Sequence, residues 1–105
     1  MEIRKHSQKR IKERVGLPKK AVERNAANAL EKGVKHTDCT GRLKKYFDFL
    51  FLSHNKGGKA RIYNNHVYIF TIQDVLITVI PLPNVHKDTV NKIIAKKKVE
   101  DSFGQ

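Results

Sequence analysis

Apolar residues recur at helical spacing through the first half of this chain and alternate with polar ones in the second. From Glu2 to Val15, Ile3, Ser7, Ile11 and Val15 share one narrow stripe at about 100° per residue, and Gly16 ends the run. This predicts a first helix with His6, Arg10 and Arg14 along the border of its buried stripe. Leu17-Pro18 opens a second helix at a first-turn position where proline's missing N–H costs nothing. Val22, Ala26, Ala29 and Leu30 carry its apolar face, and Gly33 supplies a stop. A loop over 35–41 leads to a third helix, Arg42 to Ser53, with Leu43, Phe47, Leu50 and Phe51 in phase. The aromatic run YFDFLFL also reads as a strand.

After the break at His54-Asn55-Lys56-Gly57-Gly58 the chemistry changes to that of strands. ARIY, the turn Asn64-Asn65 and HVYIFTI predict a hairpin, and Gln73-Asp74 predicts a second two-residue turn into VLITVIPL. Pro81 and Pro83 end the sheet. The fold class is therefore α+β. N-terminal helices pack on one face of a three-stranded, or slightly larger, antiparallel sheet, in a single domain spanning 1–105. Residues 84–105 form a basic C-terminal helix, centred on Lys87 to Val99, or a partly disordered tail, because Lys96-Lys97-Lys98 and DSFGQ favour fraying.

Two tight turns fix the side-chain alternation. Ala60, Ile62, Val67, Ile69, Thr71, Leu76, Thr78 and Ile80 fall on one face, which should meet the helices. Arg61, Tyr63, His66, Tyr68, Phe70, Ile77 and Val79 fall on the other, which is either open to a ligand or covered by the C-terminal segment.

Charge sharpens this picture. The chain holds 22 Lys and Arg against 10 Asp and Glu, a net +12 on 105 residues. Such a surplus repels itself and calls for a polyanion, and nucleic acid fits because bound cations release counterions from phosphates. Aromatic rings beside cations suit unstacked bases, so RNA is favoured over DNA. Lys44, Lys45, Lys59, Arg14, His66 and Tyr68 are the candidate nucleic-acid contacts. An acidic protein partner shares the same electrostatic logic. The N-terminus MEIRKHSQKR is too polar for a signal peptide, and the stretch Val75 to Leu82 is too short to span a bilayer. A cytoplasmic protein without membrane association is expected.

Cys39 is the single cysteine and has no recognisable nucleophile motif. His36, Asp38 and Cys39 lack a second ligand pair at zinc spacing, and no Gly-rich phosphate loop is present, so no metal or cofactor is expected. RNA cleavage by transesterification needs none: a base for the 2′-OH, an acid for the 5′-O and cations for the phosphorane suffice. Cations beside His6 favour its neutral, basic form.

His6-Ser7, then Arg10, Glu13-Arg14, Leu17-Pro18, Val22, Ala29-Leu30, Gly33 and a closing Leu76-Ile77-Thr78-Val79 follow one another in an order that resembles the barnase/EndoU/colicin/RelE-like superfamily. These are small prokaryotic helix-plus-sheet domains, many of them metal-independent ribonuclease toxins of mobile elements with cognate antitoxins. The match covers roughly 3–80, and the segment KKYFDFLFLSHNKGG is longer than the group's linkers. The resemblance implies catalytic or substrate-orienting roles for His6 and Thr78, and phosphate contacts for Arg10 and Arg14. The RelE-like branch points instead to Arg61 and Tyr63. Two functions are thus expected to compete: a toxin-type endoribonuclease, and a non-catalytic protein that binds nucleic acid or inhibits a macromolecule.

Overall fold

The computed structural model describes residues 16–53 and 58–103. The predicted helix Glu2 to Val15, with His6, Arg10 and Arg14, lies outside the described residues, as do residues 54–57 of the predicted break. Among the described residues three helices and a three-stranded antiparallel meander make an α+β fold with a C-terminal helix, as the pattern predicted. The elements run α1 (Lys19–Lys32), a 3-10 turn (His36–Asp38), α2 (Gly41–Ser53), β1 (Lys59–Tyr63), β2 (His66–Phe70), β3 (Leu76–Pro81) and α3 (Asn84–Phe103).

Pro18 stands just before α1, where its carbonyl accepts the Val22 N–H at 3.1 Å. At the other end Gly33 donates to the Ala29 carbonyl at 2.9 Å, but with φ −70° rather than the left-handed conformation usual at such a stop. Glycine is required there for space. A Cβ would lie 2.5 Å from the Ala29 carbonyl oxygen and 3.1 Å from the Arg61 Cβ. Gly41, at φ +58°, supplies the left-handed residue that starts α2.

The first hairpin turns on Asn64 and Asn65, at φ +49° and +61°, the double left-handed turn that suits strand twist. The second connection differs from the expected two-residue turn. Asp74 N–H donates to the Thr71 carbonyl at 3.0 Å, Asp74 takes φ +67°, and the Thr71 hydroxyl accepts the Val75 N–H at 3.1 Å. This loop adds one residue, and a bulge after the Phe70–Leu76 pair absorbs it. The expected partners Ile69–Thr78 and Tyr68–Val79 are thereby restored, while Leu76 and Ile77 exchange faces relative to the expectation.

The larger correction concerns the helices. They are shared between both faces of the sheet instead of lying on one. Val22, Ala26 and Ala29 of α1 pack on Tyr68, Phe70, Leu76 and Val79, on the face expected to be either open to a ligand or covered by the C-terminal segment. Leu43, Phe47 and Leu50 of α2, with Val90 of α3, pack on Ala60, Ile62, Val67 and Ile69 opposite. The covering of Tyr68 comes from α1 and not from the C-terminal segment. That segment is itself more regular than expected: α3 begins at Asn84, directly after Pro83, and the lysine run is helical. Its inner positions His86, Val90, Ile93, Ile94 and Lys97 repeat at helical spacing. No helix among the described residues is long and apolar enough to cross a membrane.

Outside β1, Val34 forms an isolated antiparallel bridge with Ile62, N–H to carbonyl in both directions at 2.9 and 3.1 Å. The chain leaving α1 therefore runs along the sheet's first edge into the 3-10 turn.

Candidate nucleic-acid interface

A cleft of about 570 Å³ opens where the end of α1, the end of β1 and the second half of α3 meet. Glu31 and Lys32 come from α1, Ile62, Tyr63 and Asn64 from β1 and its turn, and Ile94, Lys97 and Lys98 from α3. Each element delivers its residues for a local reason. Gly33 lets α1 end close against β1, the Asn64-Asn65 turn ends the strand at Tyr63, and the phase of α3 turns Ile94 and Lys97 inward.

Lys97 is held in place. Its ammonium lies 3.2 Å from Asp38 Oδ2, and the same oxygen accepts the Lys35 N–H at 3.0 Å. Partial burial pushes the Asp38 carboxyl up, but the Lys35 amide and the Lys97 ammonium outweigh it and hold the group below its ordinary value. Asp38 thus ties the turn after α1 to α3, and stays charged while doing so. Cys39 beside it is buried, its thiol donates to the Lys35 carbonyl at 3.1 Å, and burial followed by the Asp38 charge pushes it up to about 11. Such a thiol is inert at neutral pH.

His36 turns away from the other two, its Nε2 donating to Asp48 Oδ1 at 2.9 Å, while Asp38 and Cys39 both bond the Lys35 backbone. Among the described residues no group of three His, Cys, Asp or Glu stands together as a metal site would require.

The described site residues are scattered over the molecule. Tyr63 lines the cleft. Arg61, Tyr63 and His66 lie together on the α1 side of the sheet near the hairpin, where Tyr63 and His66 are direct cross-strand partners. His66 Nδ1 lies 2.8 Å from the Asn64 carbonyl, which only accepts, so Nδ1 carries the proton and a neutral ring keeps the lone pair of Nε2 free. Arg61 donates to the Ala60 carbonyl at 3.0 Å, and its buried Nε has no partner. Lys59 is ion-paired with Asp74 at the opposite end of the strand. Lys44 and Lys45 are exposed on α2, away from the cleft lining.

Tyr68 and Thr78 are too buried for the roles expected of them, although Thr78 lies on the helix-covered face where the side-chain alternation put it. Tyr68 is fully buried, so its ring offers no face to a base. Burial pushes its phenol up to about 12; the Asn25 amide offsets part of this without a well-formed hydrogen bond, so the hydroxyl is left unsatisfied. Thr78 is 6% exposed, also with an unsatisfied hydroxyl, and it pairs with Ile69 on the α2 side of the sheet. Arg61 and Thr78 therefore point to opposite faces and cannot converge on one phosphate. Of the expected catalytic residues, the described ones are divided by the sheet, Arg61 and Tyr63 on one face and Thr78 on the other.

Sequence reasoning missed Lys32, Lys97, Lys98 and Glu31. For Lys97 a signal was present: it continues the apolar stripe of α3 by one turn, a position where a lysine is held inward. Compared with known proteins, the chain matches no family model, no curated protein and no solved structure.

Proposed function

We propose that this protein binds RNA, with the cleft beside β1 as the centre of its contact surface. One observation carries this reading: lysines from two helices, α1 and α3, are brought to a single concavity that also holds Tyr63 and Asn64. Ammonium groups next to an aromatic ring in a concave surface are what a flexible phosphate backbone with exposed bases requires. The net charge of +12 supports a polyanion in the same place.

Fluorescence anisotropy with a labelled single-stranded RNA tests this. Three phosphates neutralised across the contact surface centred on the cleft predict that affinity falls about twentyfold between about 50 and about 200 mM salt. Lys97→Ala with Lys98→Ala should flatten that dependence, whereas Lys44→Ala should change it little. Binding that is absent, or indifferent to salt, ends the proposal. A protein partner retained in a pull-down after nuclease treatment would move the reading to an inhibitor or to a toxin held by its antitoxin.

A ribonuclease version rests on a separate observation, the pairing of Tyr63 with His66 beside Arg61. In that version the free His66 Nε2 takes the 2′-OH proton as the 2′-oxygen attacks phosphorus, the P–O5′ bond breaks and the departing 5′-oxygen takes a proton from water, and the Arg61 guanidinium offsets phosphorane charge. RNA incubated in EDTA should then be cut by the wild type and spared by His66→Ala. His6, the base implied by the family resemblance, lies outside the described residues and is tested by the parallel variant His6→Ala.

A further inference from the structure

We propose that the cleft beside β1 is a ribonucleoside monophosphate site, taking one unstacked nucleotide at the 5′ end of an RNA. This rests on the RNA-binding reading and deepens it. The walls of the cleft are chemically sorted. Ile94 and Tyr63, both partly exposed, line the cleft, and the Tyr63 ring is a surface on which a base of any identity can stack. Lys32, Lys97 and Lys98 supply the charge for a phosphate. Lys97 is fixed on Asp38 through one contact at 3.2 Å, and an ammonium has three N–H donors, so it can also bond a ligand oxygen.

Glu31 decides what kind of anion fits. A carboxylate repels phosphate, so a cleft made for a bare polyphosphate chain would not include one. It accepts hydrogen bonds strongly, and the donors a nucleotide carries close to its phosphate are the ribose hydroxyls. Glu31 forms no ion pair among the described residues, which leaves its oxygens for that purpose. A volume of about 570 Å³ lies in the range of sites for single small ligands, which typically span roughly 300 to 1,000 Å³, and is too small for a stacked duplex.

Titration calorimetry of the full chain with AMP, dAMP and inorganic phosphate tests the site. AMP should bind about tenfold more tightly than dAMP, the ratio expected for one lost hydrogen bond to a charged group, and phosphate should bind more weakly than either. Glu31→Gln should narrow the gap between AMP and dAMP. Tyr63→Leu should weaken AMP at least about fivefold without changing phosphate, as loss of one stacking contact implies, and Tyr63→Phe should restore it. Unchanged phosphate binding in Tyr63→Leu shows that the variant is folded. Equal wild-type affinities for AMP and dAMP, or for AMP and phosphate, overturn the proposal.

A single-stranded RNA measured in parallel separates this failure from that of the broader reading. RNA bound while AMP is ignored removes the nucleotide site and keeps RNA binding. RNA that prefers a 5′-phosphate and competes with AMP supports both. AMP bound without RNA overturns the RNA end and makes the free nucleotide the ligand.

Discussion

Under α1 the sheet supplies the bulk. Tyr68, Phe70, Leu76 and Val79 fill the space, and the helix answers with Val22, Ala26, Ala29 and the unsubstituted Gly33. On the other face the proportions reverse: Leu43, Phe47 and Leu50 of α2 fill the space over Ala60, Val67, Ile62 and Ile69. The first interface is close and laced with polar groups, including Arg61, Tyr63, Asn25 and Asn64 near the hairpin. The second is filled by larger helix side chains, with Thr78 and His86 as buried polar residues on its side. Close packing lets α1 end against β1, and that is what brings Lys32 and Glu31 to the cleft. One face thus anchors the domain while the other positions its chemistry.

The largest test of this division is Phe47→Ala. Phe47 is fully buried, and emptying its place should cost about 3–5 kcal/mol, read as a shift of the urea midpoint. Gly33→Ala comes next. The added methyl meets backbone at 2.5 Å, so a cost of roughly 1–3 kcal/mol is expected, together with weaker RNA binding as α1 moves away from β1. The same Ala substitution at Gly41 should destabilise less, through its φ of +58° alone, since nothing lies within 4 Å. A result in which Gly33→Ala leaves both stability and binding intact would show that the close approach of α1 is not needed.

Relief of unsatisfied hydroxyls should have a smaller effect of opposite sign. Tyr68→Phe removes an unpartnered buried donor and should be neutral or stabilising by up to about 1 kcal/mol in the same unfolding assay. A clear loss of stability would mean that this hydroxyl has a partner, such as a bound water.

The smallest expected effect is one of pH, and it is confined to the α2 side. His86 is buried with its ring 4.7 Å from that of Tyr46, and burial, then the Arg42 charge, hold it below its ordinary value. The unfolded chain gains a proton as pH falls through about 6.5, and the folded state resists it until the lower folded value is reached. Stability should therefore be full above about pH 6.5 and decline across that window. Denaturation curves at several pH values should show the decline in the wild type and a flatter profile in His86→Leu.

Much of this architecture was legible because periodicity reports directly on local structure. The Asn64-Asn65 turn and a helix close to the expected Arg42 to Ser53, against the strand reading of the same aromatic run, follow from residue type and spacing. The division of the helices was not read, although the signal was there. With Tyr68, Phe70 and Val79 on the second face, both faces of the sheet are apolar, and a sheet of that kind needs cover on each side. The extra residue after Thr71 and the bulge that absorbs it leave no separate pattern, because their effects on register cancel. The cleft was the least visible feature. Lys32, Tyr63 and Lys97 are far apart in the sequence, and nothing local to any of them announces the other two.

The short bridge from Val34 to Ile62 carries a final consequence. A strand with bare outward amides is a template on which a second molecule can add its own strand, and repetition of that step builds fibres. Here the chain's own return path occupies the Ile62 groups on one margin, and Pro81 stands in the strand at the other. A concentrated solution of this protein should accordingly resist strand-by-strand polymerisation, and Val34→Pro, which deletes the bridging N–H, should expose the first margin and start it.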